Sequence, residues 1–347
     1  MRARLAARLA AGAAAAALAG ACAHAPPRDP ATGVTAVTLN LWHDQHDWPA
    51  RRAVIVDTLR ALAPDVVLLQ EVLEKPGLPN QAADLAERLG LRVVFASVDP
   101  PGAAKRYGNA ILTPHPIASS REVRLAPFDD HRVALHARLV VRGRLLDAVV
   151  THLHHTAEGG AIRAAQVRDL LAFVDATRGP GALILGGDFN AAPDEPELAP
   201  LRARFMDAFA AARGAAVAAG ATTLNPAKGH AARRIDHLFA PPGTLRAEAC
   251  EVILDAPAPD GTWASDHFGL WARFVWPWPR GVPAPPEPGG DPLRPRPARP
   301  GAAYRPSIAT PAPRQPSPSI SGSPANTEQR PAGGAGSAAR NSPHVER

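Results

Sequence analysis

The stretch Leu183-Ile184-Leu185-Gly186-Gly187-Asp188-Phe189-Asn190 decides how the rest of the chain is read. Ala182 to Leu185 is a continuous apolar run, the pattern of a short strand buried on both faces. It runs into two glycines, a carboxylate and an amide. No Gly-Lys-Ser/Thr follows, so this is not a Walker-type phosphate loop. A carboxylate against an apolar strand is costly to bury unless it is paired or meets a cation. The same punctuation recurs along the chain. Val37-Thr38-Leu39 ends in Asn40, Val67-Leu68-Leu69 leads through Gln70 to Glu71, and Val149-Val150-Thr151 ends in His152. Ser265-Asp266-His267 stands before the last strand. Strand ends in layered α/β folds gather at one edge, where functional crevices form. Five such groups together point to one site rather than to five solvated termini.

Between them, hydrophobic spacing predicts helices at 49–62, 81–89, 161–175 and 205–212. Strands are expected at 34–39, 66–69, 92–95, 109–112, 235–239, 249–254 and 270–275, with a hairpin of 133–141 and 145–151 turning at Arg142-Gly143-Arg144. Hairpins mixed with strand–helix–strand units imply an α/β protein with mixed sheets.

The two ends read as address and tail. Arg2, Arg4 and Arg8 precede an apolar run from Leu9 to Ala21, too short to cross a bilayer comfortably and typical of a secretory signal peptide (residues 1–22). Leu18-Ala19-Gly20-Ala21-Cys22 is similar to a bacterial lipobox, which makes Cys22 the expected lipidation site, although Leu18 lies one position too far from the cysteine. Lipidation, plain cleavage or an uncleaved anchor each implies an extracytoplasmic protein, anchored in the cell envelope or secreted. Residues 23–33 read as a linker. Residues 277–347 hold 18 prolines and nine arginines with few large apolar side chains, a composition expected to stay disordered. The full chain carries 38 basic and 32 acidic residues, but residues 26–276 carry 26 and 28, a net charge of −2. Net charge therefore gives that segment no nucleic-acid footprint. Cys250, in an apolar stretch, reads as buried filler.

The residue types narrow the chemistry. Asn40, Glu71 and Asp266 are hard oxygen donors, suited to Mg²⁺, with Mn²⁺ or Ca²⁺ as alternatives, better than to Zn²⁺. A zinc reading of His152, His154 and His155 places the first two on one face and His155 opposite, but lacks carboxylate partners. No Gly-x-Ser-x-Gly elbow occurs, which argues against a serine esterase.

Taken in order, Thr38-Leu39-Asn40, Leu69-Gln70-Glu71-Val72, Gly108-Asn109-Ala110-Ile111-Leu112, Thr151-His152-Leu153, Gly187-Asp188-Phe189-Asn190, Arg234-Ile235-Asp236-His237 and Ser265-Asp266-His267 resemble the motifs of the endonuclease/exonuclease/phosphatase superfamily. The resemblance covers residues 34–276. It implies a four-layer α/β sandwich, two mixed β-sheets packed face to face with helices outside. It also implies divalent-metal-dependent hydrolysis of a phosphodiester or phosphomonoester by in-line attack of water. By that resemblance Glu71 is the central metal ligand, with Asn40 and Asp266 beside the ion. Asp188 orients or deprotonates the water, and Asn190 bonds the water or the phosphate. His267 contacts the phosphate or transfers a proton, Asp236 fixes its tautomer, and His152 is the second imidazole. A salt bridge from Asp236 to Arg233 or Arg234 is the structural alternative. Asn109 is expected at the cleft as a substrate contact, with a backbone hydrogen bond as the alternative. One departure stands out: where many nucleases of the group have an acidic ligand two residues after the Asn, this chain has Trp42, with Asp44 two further on. The expected substrate is a phosphate ester, with nucleic acid, a phospholipid as in sphingomyelinases, or a silent binding lipoprotein as alternatives. The expected state is a monomer.

Overall fold

The computed structural model describes residues 33–276. The signal segment, Cys22, nearly all of the linker and the tail 277–347 lie outside the described residues. Two six-stranded sheets make the frame. The first runs β11-β12-β1-β2-β4-β3 and the second β5-β6-β7-β8-β10-β9. The first is built from β1 (Gly33–Asn40), β2 (Val66–Glu74), β3 (Arg92–Ser97), β4 (Arg106–Thr113), β11 (Arg246–Ile253) and β12 (Gly269–Val275). The second holds β5 (Ile117–Leu125), β6 (Arg132–Val141), β7 (Arg144–His152), β8 (Ala182–Asp188), β9 (Met206–Asp207) and β10 (Asp236–Ala240). Each sheet has one parallel pair, β1 with β2 and β7 with β8, and is otherwise antiparallel. Both are therefore mixed, as expected.

Strand alternation explains the layers. Leu68, Ile111, Leu135, Val150, Ile184 and Phe274 share one core between the sheets. Their neighbours Val67 and Leu69 face outward onto Ile55, Leu59 and Leu85 of the helices α1 (Trp48–Leu62) and α2 (Gln81–Leu89). On the far side Val149, Leu183 and Leu185 pack against Val167 and Leu170 of α3 (Gly160–Thr177). The order is thus helix, sheet, sheet, helix. α1 begins where the Asp47 carboxylate accepts from the Ala50 N–H at 3.0 Å, and α2 where Asn80 accepts from Ala82 and Ala83. The β6–β7 turn has Arg142 and Gly143 both left-handed, the backbone of a tight two-residue hairpin.

Three expectations shift. β5 was not expected, because its sequence is mostly polar and exposed; it is an edge strand paired only with β6. The segment at 205–212 divides into β9 and a short helix α5 (Ala208–Arg213), preceded by α4 (Ala199–Arg202) and followed by α6 (Ala215–Ala219). β2 does not end at Leu69 but continues to Glu74 through a bulge. Among the described residues no helix is long and apolar enough to cross a membrane. Cys250 is buried and its thiol is pushed up to about 12 by that burial, in keeping with inert filler.

Candidate active site

One end of the sandwich opens into a cleft of about 980 Å³, whose lining includes Glu71, His152, Asp188, Asn190, Asp266 and His267. The second sheet sets three of the central groups side by side. His152 ends β7, Asp188 ends β8 and Asp236 begins β10, and in register His152 faces Asp188 on one side while Asp236 faces it on the other. The glycines before Asp188 are needed there. A side chain at Gly187, at φ 148°, would meet the Thr151 carbonyl oxygen at 2.0 Å, and one at Gly186 would meet Leu68 of the facing sheet at 2.7 Å.

The first sheet supplies the rest. In the β2 bulge Gln70 and Glu71 oppose the single residue Asn109, and Glu71 takes a left-handed φ of 56°. Glu71 therefore lies inside the strand, where a bulge re-aims it, rather than after the strand end. Asn40, fully buried, binds both sheets' acids: its amide nitrogen donates to Glu71 Oε1 at 3.1 Å and to Asp188 Oδ2 at 3.0 Å. Its amide oxygen accepts from the Trp42 N–H at 2.9 Å. Asp266 lies at the cleft wall, with Oδ2 3.2 Å from His230 Nε2.

The electrostatics separate the two imidazoles. His267 Nδ1 donates to Asp236 Oδ2 at 2.9 Å, and its Nε2 lies 3.8 Å from Asp188 Oδ2. Burial works against its charge, but the two carboxylates prevail and lift its pKa to about 10. His152 Nε2 is 3.4 Å from the same Asp188 oxygen. Burial, with Arg132, His267 and His155 nearby, holds His152 well below the usual imidazole range, so it stays neutral. Asp188 itself is pushed up to about 7 by burial and by Asp236, against the opposing effect of His267 and the Asn40 amide. Its Oδ1 accepts from the Asn190 N–H at 2.9 Å, and Asn190, at φ 51°, also donates its side chain to the Leu153 carbonyl at 3.0 Å.

The alternatives open at the sequence level resolve on these contacts. Asp236 pairs with His267; Arg234 pairs instead with Asp207, and Arg233 with Glu195. His237 points to the other side, against Phe189 and Phe239. Asn109 does not line the cleft: it is buried, and its amide donates to the Val133 carbonyl at 2.8 Å, joining β4 to β6 of the opposite sheet. The three-histidine zinc arrangement is not formed. Both ring nitrogens of His154 are engaged, by Asp130 at 2.7 Å and Thr156 at 2.8 Å, and it is His155 that joins His152 at the cleft. The chain leaves extended geometry after His152, which breaks the alternation that had paired His152 with His154. Asp44 reaches the rim, but Lys75 and His43 engage its carboxylate and lower its pKa to about 2. Sequence reading gave no role to Tyr107, which directly precedes the Gly108-Asn109 motif, or to Arg132, both at the cleft, or to Arg51 behind it.

Asp188, Asp236 and His267 offer ligand atoms within 4.8 Å of one another, and Asp236 Oδ1 is buried without a partner. A protonated His267 has no lone pair to give, so this group suits proton handling better than metal binding. The Glu71 and Asp266 carboxylates at the cleft wall are hard donors of the type a divalent cation takes.

The model of the endonuclease/exonuclease/phosphatase family matches residues 37–267, a span holding every one of these groups. The chain belongs to the endonuclease/exonuclease/phosphatase family. Members of this family are hydrolases acting on phosphodiester bonds. A Drosophila melanogaster protein, Nocturnin, is 29% identical over 272 residues, which is 65% of this chain and 42% of that protein. The chain thus spans less than half the length of that relative. The human Nocturnin catalytic domain with bound sulfate superposes with a TM-score of 0.58 at 23% identity, covering 71% of this chain and 94% of that one. D. rerio TDP2 complexed with a single-strand DNA product gives 0.59 at 18%, covering 70% and 98%. At these identities the two structures show a shared endonuclease/exonuclease/phosphatase fold.

Proposed function

We propose that the chain is an extracytoplasmic, Mg²⁺-dependent phosphoesterase that hydrolyses a phosphodiester or phosphomonoester by in-line attack of water. One observation carries the reading: Asp188 lies between two imidazoles, 3.4 Å from His152 and 3.8 Å from His267, in a cleft that also holds Glu71 and Asp266. Glu71 and Asp266 would hold the cation, with the Asn40 amide fixing Glu71. A bound divalent ion would neutralise phosphate charge and lower the barrier to attack by several kcal/mol. Asp188, with its pKa raised to about 7, takes the proton of the attacking water; as the bond from phosphorus to the leaving oxygen breaks, that oxygen would be stabilised by the cation and take a proton from solvent. Protonated His267, held by Asp236, faces the anionic phosphate as a donor. Neutral His152 adds an N–H, and the Asn190 side chain lies beside the same cleft. Mn²⁺ or Ca²⁺ are the alternative ions.

A nucleic-acid or nucleotide substrate is favoured among the phosphate esters. Lys75, Lys105, Arg132 and Arg233 line the cleft despite the negative net charge of the segment, and such groups meet backbone phosphates. The single-strand DNA in the TDP2 structure agrees with this. A phospholipid is the competing outcome. The location and the lipid anchor at Cys22 rest on the N-terminal sequence, and the mass of the mature N-terminus tests them.

The deciding experiment is hydrolysis of bis(p-nitrophenyl) phosphate with Mg²⁺, followed by a panel of single-stranded DNA, RNA, nucleotides and sphingomyelin. Wild type should turn over, EDTA should abolish it, and Glu71→Gln and His267→Ala should be inactive though folded. Equal rates in wild type and both variants end the enzyme reading and leave a binding protein.

A further inference from the structure

Arg51 lies on α1, is 2% exposed, and makes no ion pair with a carboxylate among the described residues. Instead each of its five N–H donors goes to a main-chain carbonyl. Nε donates to Gln45 at 2.9 Å, Nη1 to Leu41 at 2.6 Å and Ala264 at 2.9 Å, and Nη2 to Trp42 at 3.3 Å and His43 at 2.7 Å. Four of these carbonyls belong to the loop that follows Asn40. The fifth precedes Ser265-Asp266-His267. Ser265 completes the link, its hydroxyl donating to the Asn40 carbonyl at 2.7 Å and accepting from the His267 N–H at 3.1 Å. The loop could not hold this shape unaided: Trp42, His43 and His46 are all left-handed, at φ 55°, 31° and 52°, and none is glycine. Their carbonyls converge because a planar five-donor fork stands at the centre.

We infer that Arg51 is the positioning residue of the metal-side wall, locking the Asn40 loop to the Asp266 loop through main-chain carbonyls, so that Glu71 and Asp266 keep one spacing. The inference rests on the reading that these two carboxylates hold the cation. The choice of arginine follows from its chemistry. A lysine offers three donors on a compact head and cannot fill five fixed acceptors. A carboxylate partner would compete for the same donors. The nearby Asp266, Asp44 and Glu71 act on Arg51 through space, which helps keep its buried charge in place.

The test uses the full chain and Mn²⁺ as probe, with calorimetric titration as the readout and circular dichroism as the check on folding. Arg51→Gly and Arg51→Lys should each weaken Mn²⁺ binding by about 10–100-fold. Guanidinium at sub-denaturing concentration should restore binding in Arg51→Gly, whereas NaCl of equal ionic strength should not. Asp65→Asn, a destabilising change at the other end of β2, should leave Mn²⁺ affinity unchanged. A folded Arg51 variant with wild-type affinity overturns the inference. In the unsubstituted chain, Mg²⁺ should shift the Arg51 Nε–H resonance, and an unmoved resonance overturns it as well. If instead wild type and Glu71→Gln bind Mn²⁺ equally, it is the metal-site reading that fails.

Discussion

Replacing Asn40 by Asp changes almost no volume and tests the centre of the site. The Asn40 amide nitrogen holds two carboxylates, Glu71 at 3.1 Å and Asp188 at 3.0 Å. Hydrogen bonds to charged groups contribute about 1.5–3 kcal/mol each, so losing both costs about 3–6 kcal/mol. In Asn40→Asp an oxygen takes the nitrogen's place, and both bonds become contacts between acids. The Trp42 N–H keeps its acceptor, so the turn itself is spared. Asp188 already has its pKa raised to about 7 and can hold a proton, which places the cost toward the lower end, near 3 kcal/mol. That is a large part of the ~5–15 kcal/mol by which domains are stable.

The same substitution should reverse sign with metal. A third carboxylate strengthens a hard-cation site, and a ligand at 100 times its Kd returns about 2.7 kcal/mol. Urea denaturation at pH 7 should therefore show Asn40→Asp well below wild type in EDTA, with Mg²⁺ closing more of the gap than it adds to wild type. Lowering the pH should also narrow the gap in EDTA. The new carboxylate would crowd Asp188, whose folded pKa is already raised, so the folded state takes up more protons than the unfolded one. A variant within about 0.5 kcal/mol of wild type in EDTA, the scatter of ordinary surface changes, refutes the reasoning; so does equal stabilisation of both proteins by Mg²⁺.

Three further outcomes are expected. Asp236→Asn should lower kcat by about 100-fold or more, the scale of one acid–base group, with KM little changed; it should also move the alkaline limb of the pH–rate profile down from near 10, since burial would then act on His267 with less opposition. A profile identical to wild type removes Asp236 from its role. Asp65 accepts from His115 and Arg142 at 2.7 Å each and from the Thr35 N–H at 2.8 Å. Burial alone would raise its pKa, but these contacts lower it. Its contribution is therefore present above the unfolded value near 3.9 and lost as pH falls through the lower folded value. Asp65→Asn should cost about 3 kcal/mol at pH 7, and the difference should shrink in acid; a gap that is constant with pH counts against the assignment. Asn109→Ala should lower the melting temperature by removing the tie to Val133, while KM stays at the wild-type value; a raised KM at unchanged stability would return Asn109 to the substrate.

The sandwich was legible because its strands are short apolar runs with polar groups at their ends, and Asn40, His152 and Asp188 do end strands. The pairing of Asp236 with His267 came from resemblance and was confirmed by distance. What stayed hidden has physical causes. β5 packs only Ile117, Val123 and Leu125 near its ends, since an edge strand can stay exposed along the rest. The β2 bulge leaves no mark in a run of apolar residues, so Glu71 was placed beyond the strand rather than within it. Which alternative Asn109 takes was hidden for a related reason: its motif lies on β4 opposite that bulge, and its amide turns to the other sheet. Arg51 was invisible because its partners are carbonyls, which every residue carries.

The distribution of left-handed residues shows how the fold divides its work. Glu71 and Asn190 both have positive φ, and so do Trp42, His43 and His46 in the Asn40 loop. Such conformations cost about 1–3 kcal/mol each and survive only where the surroundings hold them. Here the holding groups are identifiable. Gln81 accepts from the Leu73 N–H just past the bulge and donates to the His43 carbonyl. The Leu153 carbonyl and Asp188 fix Asn190, and Arg51 fixes the loop. At the other end of β2, Asp65 ties β1 to the β6–β7 turn through Arg142, which itself bonds the Gly33 carbonyl. Five of the nine left-handed residues other than glycine among the described residues thus lie where carboxylates and imidazoles face one another, while the Asp65 ties lie away from the cleft. This is the expected arrangement if the crowded carboxylates are kept for a cation rather than for stability. It is also why relief of that crowding by Mg²⁺ is the measurement on which the functional reading turns.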